Sequence, residues 1–271
     1  MKVAAIQMVS CVSREANLAQ ARRLLGQAAE AGAELAVLPE YFCLMGHQDT
    51  DKLPLREAPG QGVVQSFLAE TAREFGLWIV GGTLPLDCGD ADHVYNSSLA
   101  FSPQGECVAR YDKIHLFFFD NGRERYDERR VIAPGGRPVV FELPSRDGHR
   151  WRIGMSVCYD LRFPELYRAL AKQGAELLLV PSAFTRTTGM AHWEVLLRAR
   201  AIENLAWVVA PAQGGTHENG RHTWGQSLVA DPWGSVVAQQ ASGDGVVLAE
   251  LDAAQTAARR NQLPVLTHCV L

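Results

Sequence analysis

The chain contains two copies of one pattern. Gly32-Ala33-Glu34-Leu35-Ala36-Val37-Leu38-Pro39 returns as Gly174-Ala175-Glu176-Leu177-Leu178-Leu179-Val180-Pro181. Further on, Ser98-Leu99, Pro103-x-Gly105 and Val108-Ala109 return at the same internal spacing as Ser227-Leu228, Pro232-x-Gly234 and Val237-Ala238. One short match would be noise. Two in the same order make a duplicated unit the starting constraint on any fold.

Periodicity predicts the same elements in each half. A short strand opens it (3–8; 152–157) and an amphipathic helix follows (about 15–31; about 164–173). Then come a buried strand (35–38; 177–180), a second helix (about 63–75; about 190–204) and another apolar strand (77–82; 206–210). Strands joined by Pro-x-Gly turns at 102–105 and 231–234 complete each half. The apolar strands lack polar alternation, so both their faces are expected to be covered. Helices alternating with strands give an α/β protein. Two sheets, each with helices on one face, stack as a four-layer α-β-β-α sandwich with internal pseudo-two-fold duplication. Their shared core makes residues 1–271 a single domain. The long irregular stretches, about 44–60, 117–137 and 183–189, are candidate functional loops.

Composition narrows the class. With 271 residues, 47% hydrophobic and 21% charged, the chain can bury a large core without disulfides or metals. A net charge of −4 argues against a nucleic-acid or membrane-surface binder. The six cysteines form no C-x-x-C pair, and reduced thiols in the cytoplasm are the expected state. The apolar run 3–12 is read as a first strand rather than a leader, being short and interrupted by Gln7. No apolar run approaches a membrane span.

In α/β sheets, ligands gather at the carboxyl ends of strands. Three reactive residues fall there: Glu40, Lys113 and Cys158. Each has an ordinary alternative: a helix cap, a surface charge, an inert core thiol. Together they are complementary. Hydrolysis of an unactivated carbon–nitrogen bond needs a strong nucleophile, and a thiolate is the best side chain for it. Glu40 can take the thiol proton and return it to the leaving amine. Lys113, with the backbone N–H after Cys158, can stabilise the oxyanion. That chemistry calls for no metal or organic cofactor.

The segments Leu38-Pro39-Glu40, Tyr111-Asp112-Lys113-Ile114-His115-Leu116 and Val157-Cys158-Tyr159-Asp160-Leu161-Arg162-Phe163-Pro164-Glu165 resemble the hallmarks of the nitrilase superfamily of carbon–nitrogen hydrolases. The resemblance runs over nearly the whole chain. It implies the sandwich fold, the Glu40–Lys113–Cys158 triad, and a second glutamate. Glu128 occupies the matching position, with Glu124 as competitor. Tyr159-Asp160 after the nucleophile is similar to the amidase branches, where true nitrilases have Trp-Glu. The segments 181–185, 188–194, 212–217 and 231–234 resemble deaminated glutathione amidases, with omega-amidases beside them. Gln226 stands where that resemblance implies histidine, and Thr223-Trp224 where it implies Ser-Tyr.

The substrate so implied is a small amide carrying carboxylates, on a protein already negative. Arg162 is the leading carboxylate anchor, and pairing with Glu165 or Asp160 is its structural alternative. Arg186 is second. Tyr159, Phe184 and Thr185 are further candidate substrate contacts; Thr187 and Thr188 either donate hydroxyls or make the turn. Phe117, Phe118 and Phe119 wall the pocket, fill the core or meet another subunit. Arg123, Arg125, Arg129 and Arg130 are expected on a solvated loop. The family suggests a homodimer or larger homo-oligomer.

Other readings remain at this stage. Omega-amidase action on 2-oxoglutaramate or 2-oxosuccinamate is the nearest, followed by another small-amide or N-carbamoyl hydrolase. A serine hydrolase would use Ser156, in a near-match to G-x-S-x-G. A cysteine–histidine enzyme would use His115 or His192, and a metal site His217 and His222. From a different class comes a catalytically silent binding protein on this fold.

Overall fold

The structure is a computed structural model, described here for residues 1–270. The first unit runs β1 (Lys2–Gln7), α1 (Arg14–Glu30), β2 (Leu35–Val37), α2 (Val63–Phe75), β3 (Trp78–Val80), β4 (Leu84–Asp87), β5 (Val94–Phe101) and β6 (Cys107–Asp112). A connecting segment holds a small hairpin, β7 (Phe118–Asp120) and β8 (Arg125–Asp127), then a single 3₁₀ turn (Glu128–Arg130) and β9 (Ile132–Ala133). The second unit runs β10 (Val139–Pro144), β11 (Arg150–Met155), α3 (Pro164–Lys172), β12 (Leu177–Leu179), α4 (Arg186–Asn204), β13 (Trp207–Ala210), β14 (Ser227–Ala230), β15 (Val236–Gln240) and β16 (Gly245–Glu250). A short α5 (Ala253–Gln262) follows.

The repeat read from the sequence is the repeat of the fold. β1, β2 and β3 are parallel neighbours, and so are β11, β12 and β13. The duplicated Gly-Ala-Glu segments enter β2 and β12, and the duplicated Ser-Leu pairs lie in β5 and β14. One edge crosses between the halves. β16, the last strand of the second unit, pairs antiparallel with β1 in the first sheet, while β10 pairs antiparallel with β11 within its own sheet. The two halves are therefore stitched by this strand as well as by packing.

Alternation along the strands builds the layers. Val3 and Ala5 of β1, with Leu35 and Val37 of β2, join the core shared with the second sheet. Their neighbours Ala4, Ile6 and Ala36 turn the other way, onto Ala21, Leu24, Leu25 and Ala28 of α1 and Leu68 and Ala72 of α2. Buried residues of α3 and α4, including Tyr167, Leu170, Trp193 and Leu197, pack against the second sheet. The result is the α-β-β-α sandwich, with both faces of β2 and β12 buried. Strands that short and that apolar fit only where both faces are covered.

Helix ends follow local chemistry. Ser13 caps α1 by accepting from the Ala16 N–H, and Gly76 ends α2 in a left-handed conformation. The one sizeable boundary difference is α4, which starts at Arg186 rather than near 190 because Thr185 caps it, its hydroxyl accepting from the Thr188 N–H at 3.3 Å. Among the described residues, no helix is long and apolar enough to cross a membrane.

Candidate active site

Glu40 leaves the end of β2 in a turn that the sequence makes tight. Tyr41 takes a positive φ of 59° and its N–H donates to Thr83 Oγ1 at 2.9 Å. Gly82, also at positive φ, passes so close that a Cβ there would sit 2.0 Å from the Pro39 carbonyl oxygen. Only glycine fits that approach. The Glu40 side chain is buried and fully partnered. Oε1 accepts from Lys113 Nζ at 2.9 Å and Asn96 Nδ2 at 3.0 Å; Oε2 accepts from the Ala183 N–H at 2.9 Å.

Lys113 follows β6 and is wholly buried. Its backbone is held by Asn96 on one side and by the Gly135 N–H on the other. Its ammonium is shared between Glu40 and Glu128, the latter at 2.8 Å. Glu128 opens the 3₁₀ turn after the hairpin and also accepts from Tyr41 Oη and from the Phe117 N–H, both at 2.7 Å. Burial opposes the charge on Lys113, but the Glu128 and Glu40 carboxylates outweigh it and raise its pKa. Burial likewise opposes ionisation of Glu128, and Lys113 more than compensates, lowering its pKa. Two carboxylates and one ammonium thus form a cluster of net charge −1, buried at Glu40 and Lys113 and partly buried at Glu128.

Cys158 sits just past β11 at a positive φ of 50°. A non-glycine residue there is strained, as reactive residues at strand ends often are. Its own N–H donates to the Pro181 carbonyl at 3.0 Å, so the next amide, that of Tyr159, is the oxyanion donor the turn offers. Burial, then the neighbouring Glu40 carboxylate, push the thiol well above its usual range, and Lys113 opposes this only in part.

Glu40, Glu128 and Cys158 line one pocket. Phe117, Tyr159 and Phe184 supply its aromatic surface, Thr185 and Thr188 hydroxyls, and Arg162 and Arg221 cations. Lys113 lies behind the carboxylates rather than on the surface. Glu124, by contrast, sits at the hairpin and accepts from Thr187 Oγ1, away from this cluster. Of the three consecutive phenylalanines only Phe117 lines the pocket; Phe118 is exposed.

Arg162 pairs with neither Glu165 nor Asp160. It lies over the rings of Tyr159 (5.7 Å) and Phe184 (5.4 Å) and bonds His192 Nδ1 at 3.1 Å. Arg186 is exposed at the first position of α4 and does not line the pocket. One helical residue turns about 100°, so with Thr185 facing the pocket as cap, Arg186 faces solvent. The serine and histidine alternatives fail on contacts. Ser156 is buried and bonded to Tyr167 Oη and the Leu179 carbonyl. His115 is tied to Asp160 and stacked on Phe163, and neither it nor His192 lines the pocket. His217 uses both ring nitrogens, on the Ser10 carbonyl and Thr223 Oγ1.

Sequence reasoning missed two residues. In the sequence Asp160 reads as a branch marker and as an alternative partner for Arg162. In the structure four donors converge on it: the Val157 and His115 N–H groups, His115 Nδ1 and Tyr111 Oη, at 2.7–3.0 Å. It fastens the nucleophile turn to the strand end that carries Lys113. Its strict place two residues after Cys158 was the available signal. Arg221 was passed over in a loop read for its histidines and for the family resemblance on either side of it.

A carbon–nitrogen hydrolase family model matches residues 2–261. The chain belongs to this family. Among similar proteins, the deaminated glutathione amidase of Synechocystis sp. strain PCC 6803 is 40% identical over 98% of this chain and 97% of its own length. The omega-amidase NIT2 of Xenopus tropicalis is 36% identical over 95% of this chain and 90% of its own. The crystal structure of the Caenorhabditis elegans NitFhit protein superposes with a TM-score of 0.88 at 38% identity, covering 99% of this chain and 65% of that one. The carbon–nitrogen hydrolase is accordingly an amidase of the nitrilase superfamily, acting on non-peptide bonds.

Proposed function

We propose that this hydrolase cleaves deaminated glutathione to 2-oxoglutarate and cysteinylglycine through a thioester on Cys158. The observation that carries this reading is the pocket itself. A buried thiol, the buried Glu40 carboxylate and the partly buried Glu128 carboxylate share a surface with guanidinium groups that lack carboxylate partners among the described residues. In the first step Glu40 takes the Sγ proton while sulfur attacks the amide carbon. The carbonyl electrons move to oxygen, where the Tyr159 N–H and the positive charge of Lys113 meet them. Collapse expels the amine, which receives the proton from Glu40. Water then gives a proton to the same carboxylate and attacks the thioester carbon; the carbon–sulfur bond breaks, the acid leaves, and Glu40 returns the proton to Sγ. Glu128 holds Lys113 in place through both its oxygens. Arg162, stacked between two rings, receives the 2-oxo-acid carboxylate in its forked geometry.

The second reading is omega-amidase action on 2-oxoglutaramate or 2-oxosuccinamate, favoured by the likeness to NIT2 of Xenopus tropicalis. The two differ in leaving group, a dipeptide or ammonia. Assay of both substrates at equal concentration decides between them. Preference for deaminated glutathione is the expected result, and the reverse ranking makes the protein an omega-amidase. Equal, slow release by wild type and Cys158→Ala would remove the enzyme reading altogether. A cytoplasmic homodimer or larger assembly, with no nucleic-acid or membrane partner, completes the proposal. The exposed Met190 and Val195 on α4 support such an interface.

A further inference from the structure

Two arginines of this protein show opposite habits. Arg200 is structural: Nε and Nη2 donate to the Leu161 carbonyl at 3.0 and 2.7 Å, and Nη1 to Glu203 at 2.9 Å. Arg221 is nearly unsatisfied. Nη2 makes one long bond to the Ala183 carbonyl (3.4 Å), Nη1 lies 4.0 Å from Met45 Sδ, and Nε is buried without a partner. A buried guanidinium donor left unmade is costly and calls for an explanation. The side chain is nonetheless well placed. It lies over the Tyr126 ring at 5.1 Å. Its backbone N–H donates to Asn219 Oδ1, and Asn219 Nδ2 donates to the Gly46 carbonyl at 2.6 Å.

Arg221 borders two spaces, the pocket that holds Cys158 and an adjoining cleft lined also by Tyr41, Asp49, Lys52 and Arg125. The other cations of that cleft have counter-ions: Lys52 meets Asp49 at 3.4 Å, and Arg125 lies 3.9 Å from Asp120. Arg221 has none among the described residues. Its side of the pocket is also fixed. Ala183 gives its N–H to Glu40 and its carbonyl to Arg221. Glu40 must deliver the proton to the departing nitrogen, so the residue bridged to it lies on the leaving-group side.

We propose that Arg221 binds a carboxylate on the leaving group, and that the adjoining cleft receives the departing end of the substrate. This rests on the amidase reading above and deepens it. A substrate with a carboxylate at each end is then held by Arg162 on the acyl side and Arg221 on the amine side, with the scissile bond at Cys158 between them.

The test compares deaminated glutathione with the same molecule bearing a carboxamide in place of the terminal glycine carboxylate. Wild type is expected to favour the carboxylate by roughly tenfold or more in kcat/KM, the size of one charged pairing. Arg221→Gln brings that ratio to about one, with the loss falling in KM of the carboxylate substrate. Arg221→Lys restores part of it. General damage to the fold lowers both substrates together and leaves the ratio intact, so an unchanged ratio in Arg221→Gln overturns the assignment. A wild-type ratio near one overturns it too, with the amidase reading still standing. Failure of wild type to cleave either substrate overturns both.

Discussion

Replacement of Asp160 by asparagine is the sharpest perturbation the site offers, because shape is kept and one acceptor becomes a donor. Oδ1 accepts the two His115 bonds, and Oδ2 accepts Tyr111 Oη and the Val157 N–H. Whichever way the amide turns, its NH2 faces one backbone N–H that cannot accept, so that bond is lost; the second partner, Tyr111 Oη or His115 Nδ1, must reverse its proton, and the remaining bonds lose their charge. Bonds to a charged group contribute about 1.5–3 kcal/mol each and neutral ones about 0.5–1.5, so losing one and weakening the rest should cost about 3–6 kcal/mol. A chain of 271 residues unfolds with roughly 0.6 kcal/mol/K of entropy at about 2.1 cal/mol/K per residue. The melting temperature should therefore drop by about 5–10 °C. Tyr111→Phe removes one bond and should show about half the effect. Calorimetry measures both. Alkylation of Cys158 by iodoacetamide, followed by mass spectrometry, reports whether the turn has shifted, and a changed rate is expected in Asp160→Asn. A loss below about 1 kcal/mol, or a Tyr111→Phe effect larger than that of Asp160→Asn, would refute the account of Asp160 as the fastening point.

Three further outcomes follow from the same geometry. Glu128→Gln removes one of the two carboxylates that hold Lys113 and presents an NH2 to either Lys113 or the Phe117 N–H; kcat should fall by about a hundredfold or more with KM little changed, and steady-state kinetics showing less than a threefold loss would contradict the positioning role. Cys158→Ala should abolish turnover and the thioester adduct seen by whole-protein mass spectrometry after rapid quench of the wild type. Burial pushes the Cys43 thiol up to about 12, from an ordinary 9.0, so the unfolded chain ionises there first and stability falls as pH rises from about 9 towards about 12. Between pH 9 and 10.5 the Cys43 share of that loss is about 2 kcal/mol; Cys43→Ala should flatten the alkaline limb of urea-denaturation stabilities, and parallel limbs would show that the thiol is not the cause.

The fold was legible because its strongest signals are local and repeated. Apolar strands without alternation forced two covered faces, and the Gly-Ala-Glu repeat forced two equivalent units. The crossing edge was not legible. β16 carries no mark that says which sheet it joins, since an antiparallel edge strand reads the same beside either partner. At the site, Glu40, Lys113 and Cys158 could be found because strand ends are marked by the hydrophobic pattern. Arg186 illustrates the limit. The helix start depended on a threonine hydroxyl accepting one N–H, and a shift of four residues in that start moved the side chain from a loop into solvent. Arg221 illustrates another. Nothing in its local sequence tells an unsatisfied guanidinium from a bonded one such as Arg200, because the difference lies in Met45, Tyr126 and Ala183, all at least 38 residues away.

The electrostatics of the cluster bear on when the nucleophile forms. A resting thiolate beside Glu40 and Glu128 would raise the charge there from −1 to −2, and burial first, then the Glu40 carboxylate, push the Cys158 thiol up accordingly. Lys113 cannot relieve it alone, since its ammonium is already shared by two carboxylates. Under the proposed mechanism the proton therefore leaves sulfur for Glu40 only as the carbon–sulfur bond forms. The negative charge then passes on to the substrate oxygen, near the Tyr159 N–H, and Glu40 becomes neutral. That proton transfer leaves Lys113 with one fewer competing carboxylate at the moment the oxyanion appears. The second glutamate gains a reason from this sequence of charges. Without Glu128, Lys113 would settle on Glu40 alone and weaken it as a base; with Glu128, the ammonium stays buried, charged and in place while Glu40 accepts and returns a proton in each half of the cycle.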